Sequence, residues 1–141
     1  NSVSTTLNII AIIAVLAASF GIINTMLTAI YERKKEIGIL KSMGCSNFQI
    51  FYVFVIESGL YGMIGGILGL VIGTVTSFFI TPFIAQNEFT AFVRATEVSG
   101  ILKISDMLLI LLGSVVISII SGIYPSLRAA RLTPVEAISY E

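Results

Sequence analysis

Histidine is absent from the chain, and cysteine occurs once, as Cys45. Without histidine neither a Ser-His-Asp arrangement nor a His/Cys metal site can be built. One thiol excludes a disulfide within the chain. Charge is also scarce: 11% of the 141 residues are Asp, Glu, Lys or Arg, against about 25% in an average soluble domain. So few charges cannot clothe a water-facing surface. The eight basic and eight acidic residues cancel, so nothing in the balance points to nucleic acid.

What is present instead is apolar. Hydrophobic residues make up 56% of the sequence and the mean hydropathy is +1.01, which marks an integral membrane protein. The chain opens on polar Asn1-Ser2-Val3-Ser4 rather than Met, and its first apolar run is too long and too weakly basic at the front for a signal peptide. A fragment or the tail of a longer protein is expected. The fold class is all-α, with three transmembrane helices over about 7–30, 50–80 and 107–124. At 1.5 Å per residue the first two can cross a hydrocarbon core of about 30 Å, the second with length to spare.

The first span carries a stripe of small residues, Ala14, Ala17, Ala18, Gly21, Asn24, Thr25 and Thr28, which lets another helix approach closely. Asn24 is an intramembrane amide, suited to an interhelical hydrogen bond or, alternatively, a substrate contact. In the second span Gly62, Gly65, Gly66, Gly69 and Gly73 recur at three- and four-residue steps, with Ser58 and Ser77 extending the face. That ridge signals close helix packing, although glycines also permit a flexible, gated helix. This span is expected to make the closest interhelical contacts, across a dimer axis. Glu57 lies about two turns into it, where a carboxylate is costly unless paired or facing a cavity. It reads either as a proton or substrate site, or as a partner of Arg33, Lys41 or the C-terminal arginines.

Between the first two spans lies the densest charge in the chain, Tyr31 to Cys45, with four of the eight basic residues, Arg33, Lys34, Lys35 and Lys41. Ile37, Leu40 and Met43 recur at three-residue steps, predicting a short helix with one apolar edge. Gly44 supplies its stop. Such a helix is placed to be gripped by a soluble partner; the alternative is a basic loop that only fixes topology. Ser46 and Gln49 predict a capped start to the second span.

Thr81-Pro82 is expected to end the second span and Pro125 the third. Residues 81–104 form a loop, and 125–141 a tail with Arg128 and Arg131. Thr133-Pro134-Val135-Glu136 is a capping box opening a short final helix. Counting basic residues, the segment after the first span holds four and the tail two, against two in the 83–104 loop and none before the first span. The positive-inside rule puts the charged segment and the C-terminus in the cytoplasm, and the N-terminus of the chain and the loop outside.

Three separately placed motifs resemble the C-terminal domain of FtsX/MacB-type ABC transporter permeases. Arg33, Glu36, Ile37, Gly38, Lys41 and Gly44 match one, with Ser42 and Cys45 replacing the usual alanines. Glu57, Gly65 and Gly69 match a second. Pro125, Ala129, Ala130, Leu132, Pro134, Glu136, Ala137 and Glu141 match the third, from which Ile138 and Ser139 depart. The resemblance implies a permease subunit of the MacB/LolCDE/FtsEX type that is not itself an enzyme. ATP and Mg would be held by a partner nucleotide-binding ATPase, and the permease would pair with a second copy or paralogue.

The charged segment would be the coupling helix, contributed by Glu32, Arg33, Lys34, Glu36, Ile37, Gly38, Leu40, Lys41, Met43 and Gly44. Ile37, Leu40 and Met43 would form its buried anchor and Arg33, Lys34 and Lys41 its polar rim. The implied work is export of, or mechanical action on, a lipid, lipoprotein, peptide or hydrophobic drug across the cell membrane. Two rival classes are poorly furnished. An ion or proton path through Glu57 lacks polar residues along the bilayer depth, and an intramembrane enzyme lacks a nucleophile–base pair.

Overall fold

The computed structural model describes residues 2–85 and 104–133. They form four α-helices: α1 (Ser2–Glu32), α2 (Lys34–Ser42), α3 (Asn47–Ala85) and α4 (Ile104–Ala130). Three stretches are long and apolar enough to cross a membrane, Ser4–Glu32, Asn47–Phe79 and Ile104–Ala130. No strand occurs among the described residues. The fold is the expected all-α arrangement of three spans with a short helix between the first two.

Both proline stops are corrected. α3 runs through Pro82 to Ala85, and α4 runs through Pro125 to Ala130. A proline deprives the carbonyl four residues earlier of its N–H partner, but apolar surroundings favour keeping all other backbone groups in helix, and Ser side chains can take up the slack. Around Pro125 two serine hydroxyls bond to carbonyls on either side of that of Ser121, the one the proline leaves without its N–H. Ser126 Oγ donates to the Gly122 carbonyl at 2.6 Å and Ser121 Oγ to that of Ile117 at 2.8 Å. The ring of Pro125 is itself fully buried, so it packs rather than protrudes. Arg128 accordingly belongs to the last turn of α4 instead of following it.

The spans pack by ridges of four-residue period. On α3 the buried positions Ile50, Phe54, Ser58, Gly62 and Gly66 fall at strict steps of four, and on α4 Ser118, Gly122, Ser126 and Ala130 do the same. Along α3 this face shrinks from Phe54 through Ser58 to bare glycine. At the wide end the helices are held apart by a hydrophobic cluster; at the narrow end their backbones nearly touch. Ser118 Oγ donates to the Ser58 carbonyl, and Ser114 Oγ to that of Gly62 at 3.0 Å. α4 is the central member, touching α3 along its length and also α1, which barely meets α3.

The cluster at the wide end gathers one or two residues from each helix: Met26 and Ile30 of α1, Ile37 of α2, Ile50 and Phe54 of α3 and Ala129 of α4, with Ile22, Cys45 and Leu132 against it. Elsewhere large apolar side chains such as Leu16, Phe20, Ile72 and Leu112 are exposed. Lipid is as apolar as those side chains, so burial gains little within the bilayer. Where water begins burial again stabilises, and the core lies beside the charged helix α2.

Candidate functional site

The wide end holds most of the charged residues singled out above, arranged around α2. α1 passes into α2 through one residue, Arg33, at φ −94° and ψ 14°. Backbone hydrogen bonds continue across it, from Arg33 N–H to the Ala29 carbonyl at 3.0 Å and from Ile37 N–H to that of Arg33 at 3.1 Å. α2 is thus a nearly continuous extension of the first span. At its far end the Gly44 N–H meets the Lys41 carbonyl at 3.0 Å and the Cys45 N–H that of Leu40 at 3.1 Å. With Gly44 at φ +99°, this is the paired-bond stop that favours glycine. Ser46 and Gln49 then start α3 reciprocally, Ser46 N–H to Gln49 Oε1 at 2.8 Å and Gln49 N–H to Ser46 Oγ at 3.3 Å.

The anticipated apolar edge of α2 splits. Ile37 is 3% exposed and belongs to the internal core, whereas Leu40 is 43% and Met43 70% exposed. Residues three apart drift by roughly 60° around a helix, so two such steps sweep about 120°, enough to carry one end inward and the other outward. Ile39, which the sequence pattern did not single out, joins the outward set at 53% exposure. Gly38 is buried beside Ile37. Glu32, Arg33, Lys35 and Glu36 are exposed and Lys34 half-buried.

Lys41 departs further from expectation. Its ammonium is not on an outer rim: Nζ donates to the carbonyls of Ala130 and Leu132, each at 2.5 Å. These are the carbonyls at and just beyond the end of α4, where a helix leaves acceptors without intrahelical partners and carries partial negative charge. Desolvation draws the Lys41 pKa below its usual value, while two acceptors and the helix terminus favour the cation.

Glu57 takes the paired reading. Its carboxylate accepts a hydrogen bond from the Tyr61 hydroxyl at 3.0 Å and lies 3.7 Å from the Arg33 guanidinium. Tyr61 stands four residues on, one helical turn away, a spacing that could have identified it. With the Arg33 side chain 55% exposed, the ion pair adds little stability, but it ties α3 to the α1–α2 elbow. Arg128 sits over the Tyr31 ring at 5.4 Å, a cation–π contact between the ends of α4 and α1. Arg131 is exposed; Pro134 and Glu136 lie outside the described residues, as do most of the 81–104 loop and the final helix.

The glycine ridge divides. A methyl group on Gly62 would lie 2.5 Å from Ser118 Cβ, 2.8 Å from the Ser114 carbonyl oxygen and 2.9 Å from Val115 Cα, and one on Gly66 would meet Ser114 Oγ. At Gly65, Gly69 and Gly73 nothing lies within 4 Å. Within the chain, the closest contacts of α3 are therefore made against α4. Gly122 is the reciprocal close approach, against Ser58. Gly69 and Gly73 line an open groove of about 290 Å³ with Leu70, Thr74, Ser77 and Ile110, none of them ionisable. Asn24 is exposed and its amide bonds to no other helix among the described residues. No group of three or more His, Cys, Asp or Glu that could hold a metal occurs among them either.

Relatives carry the same segment. The chain is 34% identical over 135 residues to an uncharacterised ABC transporter permease of Methanocaldococcus jannaschii, covering 94% of this chain and 32% of that one. It is 33% identical over 138 residues to the uncharacterised ABC transporter permease YknZ of Bacillus subtilis, covering 98% and 32%. It is 32% identical over 145 residues to the macrolide export ATP-binding/permease protein MacB of Bdellovibrio bacteriovorus, covering 100% and 20%. The chain thus spans a third or less of the length of these relatives. The model of the FtsX-like permease C-terminal domain matches residues 8–134, and the chain belongs to that family of ABC transporter permeases.

Proposed function

We propose that this chain is the membrane-embedded lever of an ABC permease and that α2 is the foot on which a cytoplasmic nucleotide-binding ATPase pushes. The observation that carries this reading is the two-sidedness of α2. Its inner side is anchored by Ile37 among the ends of all three spans, and its outer side exposes Ile39, Leu40 and Met43 beside Glu32 and Lys35. An exposed apolar patch with a charged rim suits a protein partner, and a helix fastened to every span can pass a push to all of them. ATP and Mg belong to that partner; this chain supplies no catalytic group.

The basic residues place α2 and the C-terminus in the cytoplasm by the positive-inside rule, in a cell or inner membrane. A second permease copy would cover the open length of α1. The proposed cargo class is a lipid, lipoprotein, peptide or hydrophobic drug.

The test uses the full permease with its ATPase in nanodiscs. Leu40→Asp with Met43→Asp should leave membrane insertion intact while ATPase capture falls by at least about tenfold, as when interface anchors worth more than about 1.4 kcal/mol are lost. Undiminished capture would remove α2 as the docking foot. Labelling of Lys35→Cys from the outer face of intact cells would overturn the orientation.

A further inference from the structure

Besides Ile37 in the core cluster, three attachments hold α2, and they differ in kind. Arg33 joins it covalently to α1, and residues 43–46 join it covalently to α3. No chain connection joins it to α4, although α4 is the central helix, packed on both others. The Lys41 ammonium fills that place, bridging the carbonyls of Ala130 and Leu132, 89 and 91 residues away. Around it Ala129 and Ala130 are buried and Leu132 packs on the core cluster, so both acceptors sit on a seated piece of backbone. We propose that Lys41 is a positioning residue, a clamp that makes α2 and the end of α4 one mechanical body. A push on α2 then reaches α4 directly, and through it α3.

The clamp rests on the reading of α2 as the foot for the ATPase, yet it makes a separate statement. Lys41 acts inside the permease, through α4, and does not touch the motor. A cation suits the task because neutral donors bond such carbonyls more weakly. The stem of lysine also places three donors on one atom, so two acceptors two residues apart can be held together.

Two measurements on the full permease in nanodiscs separate the clamp from the docking reading. In the first, spin labels are placed at Lys35→Cys and Arg131→Cys in a Cys45→Ser background, without ATPase. The wild-type sequence at Lys41 should give one narrow distance distribution. Lys41→Met, which keeps most of the stem, should give a broader or longer one, and Lys41→Arg should restore the narrow form. If Lys41→Met does not insert, Lys41→Gln serves, and a widened distribution is again expected. An unchanged distribution in the neutral variant overturns the clamp whatever α2 binds.

In the second, the cognate ATPase is added. Lys41→Met should change its capture by less than about twofold while ATP turnover stimulated by the permease falls by at least about fivefold, the range of coupling carried by residues that touch neither ligand. Capture and stimulation falling together would place Lys41 at the partner and overturn the clamp. Failure of the unsubstituted permease to capture the ATPase would instead sink the docking reading, leaving the distance measurement to decide the clamp.

Discussion

Gly44 marks the point where a single backbone angle closes the charged helix. At φ +99° a side chain is strained, because a Cβ there crowds the following carbonyl. Gly44→Ala should lower the stability of the purified domain by about 1–2 kcal/mol, read as a fall in thermal midpoint in detergent, with Gly44→Asn falling less because asparagine tolerates this region. A stability unchanged by alanine would show that the stop is not held in this geometry. Gly44, Ser46 and Gln49 were legible because a cap is written within six residues of sequence. Ile37 and Lys41 were not. Their partners lie on other helices, and a spacing that repeats every three residues does not say which end of the stripe turns inward.

Between elements, the α3–α4 seam depends on the places where a glycine faces backbone rather than open space. At Gly62 an added methyl would press on the Ser114 carbonyl and Val115 Cα, neither of which can rotate away, so the helices must part. Gly62→Ala should therefore cost about 1–3 kcal/mol, the usual penalty of overpacking. Gly69→Ala, with nothing within 4 Å, should be neutral or slightly stabilising, since alanine is the better helix former by up to about 1 kcal/mol. Unfolding of the two variants in mixed micelles reads the difference, and equal effects would mean that the seam is not as close as described. The sequence showed that α3 carried a packing ridge, but three- and four-residue steps together mark more than one face. Only the matching four-step row on α4 selects Gly62 and Gly66. Pro82 and Pro125 were misread for a related reason: a stop rule learned in water weakens where an interrupted backbone has no water to turn to.

For the molecule as a whole, the open question is what covers α1. Among its described residues only Met26 and Ile30 are buried, near the α2 end, and from Ser4 to Ala18 every residue is exposed. Lipid alone could solvate Leu7, Ile10 or Leu16 at no cost. It cannot satisfy the amide of Asn24, which is exposed beside Gly21, where nothing lies within 4 Å. An unpaired amide in hydrocarbon is costly, and small residues next to it permit a helix to come near. A second copy presenting the same face would supply both the amide partner and the close approach, by two-fold symmetry. In the full permease with Cys45→Ser, a cysteine at Gly21 should then form a disulfide-linked dimer in membranes under mild oxidation. A cysteine at Gly66, which is shut against α4, should not. Asn24→Val in the Gly21→Cys background should lower the cross-linked fraction, because it removes the polar bond that holds the two faces together. A chain that remains monomeric on the gel at Gly21 would assign the α1 face to another segment of the same permease.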